Sequence, residues 1–163
     1  MALTKLNYTG QGVIPHAKMP SGSVLQIVHN HDINVVNTDS NSYSEVNTNL
    51  RTSITPKFAT SKILIEGVLG QTGYNNAGGG LEFYGQLYDI TNSAEVDSSK
   101  SRFYDYGTTG IFGTNSLALT RLITISSTAT LTYNWRIKLL TGVRTYVNDD
   151  CTTTSITLTE ISQ

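Results

Sequence analysis

Short runs in which apolar and polar side chains alternate every second residue dominate this chain, and that period strongly constrains its fold. Tyr133, Trp135, Ile137 and Leu139 alternate with Asn134, Arg136, Lys138 and Leu140. Leu50, Thr52 and Ile54 alternate with Arg51, Ser53 and Thr55, and Ile156 and Leu158 with Thr157 and Thr159. A period of two places one greasy and one wet face on each strand, the pattern of antiparallel sheets packed on one side. Runs of this kind, rich in Thr, Val, Ile and Tyr and bounded by Gly, Asn, Asp or Ser, fall at 23–29, 46–55, 62–69, 81–90, 117–126, 131–140, 143–148 and 155–161, with a weaker one at 94–96. Helical spacing is nearly absent. The expectation is an all-β, antiparallel two-sheet sandwich of jelly-roll type with an extended N-terminal arm. Its inward residues are expected to include Leu25, Ile27, Ile54, Ile63, Ile65, Phe83, Leu87, Ile123, Trp135, Ile137 and Ile156.

Composition limits what such a sandwich can do. Charged residues make up 14% of the 163 residues, whereas 24 Thr, 16 Ser and 13 Asn supply about a third of the chain. With 11 Lys+Arg against 12 Asp+Glu there is no cationic excess to neutralise phosphates, so no nucleic-acid partner is expected. No apolar stretch approaches the roughly 20 residues of a membrane helix, so no membrane insertion is expected either. The opening residues Met1 to Asn7 show no secretory signal, and the lone Cys151 forms no internal disulfide. Residues 1–21 stand apart from the domain at 22–163. They carry Pro15, Pro20, Gly10 and Gly12 among the scattered apolar side chains Leu3, Leu6, Tyr8, Val13 and Ile14, the make-up of an extended docking arm.

Chemistry-bearing patterns are few. His29 and His31 share one face of a strand, as two ligands of a small cupin-like metalloenzyme would. No acid follows at Ile33–Val36, however, and the remaining histidine, His16, lies in the arm. Asp149 and Asp150 would raise the Cys151 thiol pKa, opposing its activation. Asp89 and Glu95 read as turn residues. Gly78 to Gly80 lacks the Lys-Ser/Thr of a phosphate loop, and no Gly-x-Ser-x-Gly elbow is present. No catalytic residue, cofactor or metal is therefore expected, and the chain reads as a non-enzyme. Segments 71–80 and 102–116 are more informative. Tyr74, Asn75, Asn76, Tyr104, Asp105, Tyr106 and Phe112 combine aromatic area with amide and carboxylate groups, the composition of recognition loops able to stack on and hydrogen-bond a host-surface glycan. Tyr84, Tyr88 and Ile90 stand opposite Phe83 and Leu87, so the run 81–90 is apolar on both faces and its outer face is expected to be covered.

From Met19-Pro-Ser-Gly-Ser-Val-Leu-Gln-Ile-Val onward the chain resembles a group of small β-sandwich proteins of tailed bacteriophages, including marine and cyanophage members. The likeness continues at Ser53-Ile-Thr-Pro, Thr60-Ser-Lys-Ile-Leu-Ile, Leu87-Tyr-Asp, Ser101-Arg102 and Ser126-Ser-Thr-Ala-Thr-Leu-Thr-Tyr. It ends on Gly142-Val-Arg-Thr-Tyr-Val-Asn and Thr154-Ser-Ile-Thr-Leu-Thr-Glu-Ile. The resemblance implies a virion structural protein made in the host cytoplasm and displayed on the particle exterior. It implies a homotrimeric tail-fibre or tail-tip adhesion module similar to the C1q/TNF jelly roll, or alternatively a capsid head-decoration protein. It implies no catalytic residues. Attachment to other virion proteins is expected through the N-terminal arm.

Overall fold

The computed structural model describes residues 19–75, 81–103, 111–141, 144–148 and 153–163, with backbone alone at 71–75, 81, 102–103 and 111–115. Eleven strands form there: β1 (Val24–Asp32), β2 (Val36–Thr38), β3 (Ser44–Glu45), β4 (Thr52–Ile54), β5 (Lys62–Asn75), β6 (Leu81–Asp89), β7 (Ala94–Phe103), β8 (Ile111–Thr124), β9 (Leu131–Thr141), β10 (Arg144–Val147) and β11 (Thr154–Ile161). All pairings are antiparallel. Three pairs of short strands are halves of interrupted longer ones. β1 and β2 flank β11 and β10, which together line one side of β5, while β3 and β4 share one side of β9. Counting each interrupted pair once, one sheet runs β1/β2, β10/β11, β5, β8 and the other β3/β4, β9, β6, β7. In chain order those positions are 1-8-3-6 and 2-7-4-5. Such an order is a jelly roll, two Greek keys folded face to face.

The alternation read from the sequence builds the core. Ile63, Ile65 and Leu69 of β5 and Ile156 and Leu158 of β11 meet Leu87 of β6 and Tyr133, Trp135 and Ile137 of β9, all buried. Trp135 lies at the centre, and its indole nitrogen donates to the Ser155 carbonyl oxygen across the sandwich at 3.2 Å. Gly67 makes room for it, and Gly85 for Leu117 and Leu69. A methyl group on Gly67 would stand 2.7 Å from Trp135 Cζ2, and one on Gly85 would stand 2.6 Å from Leu117 Cδ2.

Departures from the sequence reading have local causes. The run 46–55 is not one strand: Asn47 caps a 3-10 turn at Thr48–Leu50, its side-chain oxygen accepting from the Asn49 N–H at 3.0 Å. Leu50, Thr52 and Ile54 are nevertheless buried on one side. Ile27 does not face inward but is 62% exposed, and Leu25 is only partly buried. A register shift between Val24 and Gln26 turns β1 over, so that Val28 joins the core while Ile27, His29 and His31 face outward. The weak run at 94–96 is the start of a ten-residue strand, and strands extend into the expected loops as far as Asn75 and from Ile111.

Polar groups close the ends. Glu160, fully buried, accepts from Gln26 Nε2 at 2.6 Å, from the Lys57 N–H at 2.9 Å and from the Phe58 N–H at 3.3 Å, pinning the Pro56 turn to the sheet. Asn148 takes the left-handed conformation (φ 62°) that interrupts β10/β11, and its side-chain oxygen accepts from Thr154 Oγ1 at 2.6 Å. Gly22 and Ser23 bond Ser162, so the chain enters the domain beside its last strand.

Candidate functional site

The outer face of the β3/β4–β9–β6–β7 sheet is a lattice of aromatic rings and cations. Tyr84 and Tyr88 point outward from β6, and Arg136 and Lys138 from the neighbouring β9. The Arg136 guanidinium lies 4.2 Å from the Tyr88 ring centre and 5.9 Å from that of Tyr43, just before β3. Lys138 Nζ lies 4.5 Å from the Tyr43 ring and 5.0 Å from the Tyr84 ring. Each cation–aromatic contact of this kind is worth about 0.5–1 kcal/mol at an exposed site. The cover that the sequence led us to expect over the outer face of β6 is thus supplied in part by cations of the same chain. Burial raises the Tyr43 phenol above its ordinary pKa and the Glu95 carboxylate adds to this, while Arg136 opposes them. Beside this lattice runs an open groove of about 370 Å³ lined by Glu45, Arg51, Tyr88, Ile90, Ser93 and Arg136. Arg51 grips Glu45 with two bonds of 2.7 and 2.8 Å, and Asn134 Nδ2 adds a third at 2.6 Å. The Arg51 hydrogen bond is the main reason the Glu45 carboxyl lies below the usual carboxylate range.

The opposite outer face mixes aliphatic and polar side chains. Register aligns Ile27 of β1, Thr159 of β11, Leu64 of β5 and Leu122 of β8 in one row across the sheet. Leu122 is 52% exposed, and Val68, two rows further on, is also exposed. Between them the row His29–Thr157–Glu66–Thr120 crosses the same face. His29 and His31 therefore look outward from the sandwich rather than into it.

The ends of the molecule differ in kind. At one end lie the chain entry near Pro20, the last strand's terminus and the start of β5. At the other, Tyr74 of β5 pairs with Phe112 of β8 and with Arg144 of β10. Twelve residue steps along β5 separate these ends, about 40 Å at the rise of a strand. Of the expected recognition residues, Tyr74, Asn75 and Phe112 thus belong to paired strands. Asn76, Tyr104, Asp105 and Tyr106 lie outside the described residues, as do Cys151, Asp149, Asp150 and the arm side chains Leu3, Leu6, Tyr8, Val13 and Ile14. Asp89 and Glu95 have structural partners. Asp89 accepts from the Asn92 backbone and side chain at 2.9 and 2.8 Å, and Glu95 accepts from Gln86 and Ser98 at 2.7 Å each. Among the described residues, no group of three or more His, Cys, Asp or Glu is placed to hold a metal. No helix among them is long and apolar enough to cross a membrane.

The sequence reading missed the Tyr–Arg–Lys lattice and the Glu160 latch. Outward positions of Arg136, Lys138, Tyr84 and Tyr88 were legible from alternation, but the pairing of β9 with β6 that stacks them was not. A buried Glu160 carries no local signal at all, because its donors come from residues 26, 57 and 58.

The strand order defines the class: an antiparallel jelly roll of eight strand positions. No family model matches the chain, and no curated protein matches it. Among solved structures it is similar to the infectious bursal disease virus Gx strain structure (TM-score 0.47, 14% identity, covering 94% of this chain and 36% of that one). The infectious bursal disease virus VP2 subviral particle gives a TM-score of 0.43 at 12% identity, covering 86% of this chain and 34% of that one. Eiger TNF from S. frugiperda gives 0.40 at 11% identity, covering 82% and 90%. The chain spans about a third of the length of the viral chains it is similar to.

Proposed function

We propose that this protein is a non-enzymatic structural module of a bacteriophage virion, a homotrimer displayed on the particle exterior as a tail-fibre or tail-tip adhesin. The observation that carries the assembly is the row Ile27–Thr159–Leu64–Leu122 on the outer face of the β1–β11–β5–β8 sheet, in which Ile27 and Leu122 are exposed and Leu64 is half-buried. An exposed aliphatic row on a sheet marks a contact surface, because water contact with it is unfavourable by about 25 cal/mol per Å². The ordered resemblance to phage β-sandwich proteins supports the virion assignment, and the separation of about 40 Å between the chain entry and the Tyr74/Phe112 end supports a bipolar module. In that reading the arm at 1–21 docks on other virion proteins, and the tyrosine-bearing end meets a host glycan. Decoration of the capsid head is the second reading, favoured by the same face.

Light scattering at micromolar concentration tests the assembly. The native chain should return three times the monomer mass, and Leu122→Glu should return a folded monomer. A monomeric native protein would refute the trimer. Labelled antibody on intact virions of the encoding phage tests the rest: label at the tail tip supports the adhesin, label over the head the decoration protein, and no label overturns both.

A further inference from the structure

The outer face of β1 carries two exposed histidines beside Ile27. His29 and His31, two residues apart on an exposed strand, project the same way, with ring centres 5.9 Å apart and planes inclined by only 20°. Their environments differ in a way that matters for coordination. His29 Nδ1 lies 2.9 Å from Thr157 Oγ1 on the adjacent strand, which sets the ring's orientation and leaves Nε2 without a hydrogen bond among the described residues. An imidazole oriented through one nitrogen and free at the other is the usual state of a metal-ligating histidine. His31 makes no hydrogen bond among the described residues, so its ring can rotate toward its neighbour. Two imidazoles around one ion need metal–nitrogen distances of about 2.0–2.1 Å, so the nearly parallel rings must turn toward each other on binding, and the exposed His31, without a hydrogen bond among the described residues, is the one to do so. Glu66 stands in the His29 row two strands away, and among the described residues no third ligand joins the pair.

We propose that His29 and His31 form a two-imidazole surface site for a late first-row divalent ion, with Thr157 positioning His29 and water filling the remaining coordination positions. Imidazole suits copper, nickel and zinc, and the order of divalent affinities puts copper(II) first. This site is separate from the interior site a cupin-like enzyme would need; because it lies beside the Ile27–Leu64–Leu122 row, binding is measured on the Leu122→Glu chain as well as on the native one, so that burial in the assembly and absence of the site are distinguished.

Copper(II) added to the full chain is the probe, followed by calorimetry and electron paramagnetic resonance. One ion per chain should bind, with two nitrogen donors in the spectrum. His29→Ala and His31→Ala should each weaken binding tenfold or more, and Thr157→Val, which keeps the shape but loses the oxygen, about tenfold. His16→Ala should change nothing. Wild-type affinity in either His29→Ala or His31→Ala, a spectrum without paired imidazole nitrogens, or loss of binding in His16→Ala would each overturn the proposal. Circular dichroism of the variants confirms folding, which the exposure of both side chains leads us to expect.

Discussion

Gly67→Ala is the sharpest perturbation of the core. The added methyl would stand 2.7 Å from Trp135 Cζ2, 3.0 Å from Trp135 Cε2 and 2.8 Å from Leu87 Cδ2. Leu87 can move its terminal carbon, but the indole is rigid, fully buried and tied to Ser155 by its own hydrogen bond. Something must shift by several tenths of an ångström, and overpacking of this kind costs about 2–3 kcal/mol. For a chain of this size that is roughly 4–12 °C in melting temperature. Gly85→Ala offers the contrast. Its methyl meets the ends of Leu117 and Leu69 at 2.6 and 2.8 Å and touches Trp135 only at 3.4 Å, so the neighbours can yield and the cost should be about 1 kcal/mol. Urea unfolding at one fixed protein concentration measures both. Trp135→Phe removes the ring that Gly67 faces, so Gly67→Ala introduced into that background should lose at least half its cost, a coupling read from the double-mutant cycle. If Gly67→Ala proves no worse than Gly85→Ala, or if its cost is the same with and without the indole, the packing argument fails.

Other outcomes follow from single buried groups. Glu160→Gln replaces a carboxylate that accepts only with an amide that must aim an N–H at one of its present donors, so stability should fall by about 2–3 kcal/mol in urea unfolding; a loss below 0.5 kcal/mol, on the order of a surface change, would contradict the latch. Tyr133 buries a hydroxyl with no partner among the described residues, so Tyr133→Phe should be neutral or stabilising by up to about 1 kcal/mol, and a loss of more than that would show a missed partner. Burial, helped by the negative Asp89, raises the Tyr133 phenol above its ordinary value. The unfolded chain therefore releases that proton first, and the native protein should lose stability as pH rises past about 10, less steeply in Tyr133→Phe. For Glu45 the sign is opposite. Its folded pKa is depressed, so the Arg51–Asn134 contact helps in full above about pH 5 and is lost as pH falls through the depressed value; Glu45→Gln should flatten the acid limb of a stability–pH curve.

Alternation by itself determined the fold class and most of the core. Thr52 and Ile54, the β9 series Tyr133, Trp135, Ile137 and Leu139, and Ile156 with Leu158 are inward because a strand's side chains change face every residue, a rule that needs no knowledge of neighbours. What lay beyond reach depended on neighbours. A one-residue register shift beside Val24 turns Ile27, His29 and His31 outward, and nothing in the local sequence marks it. The fate of Tyr84 and Tyr88 was decided by which strand lies beside β6, since only that pairing sets Arg136 and Lys138 over their rings. Glu160 became a buried latch because the chain closes its last strand against the Pro56 turn, about 100 residues distant in sequence. Period two is a property of one strand, whereas register, pairing and the partners of buried charges belong to the folded whole, and so they arose only in the tertiary structure.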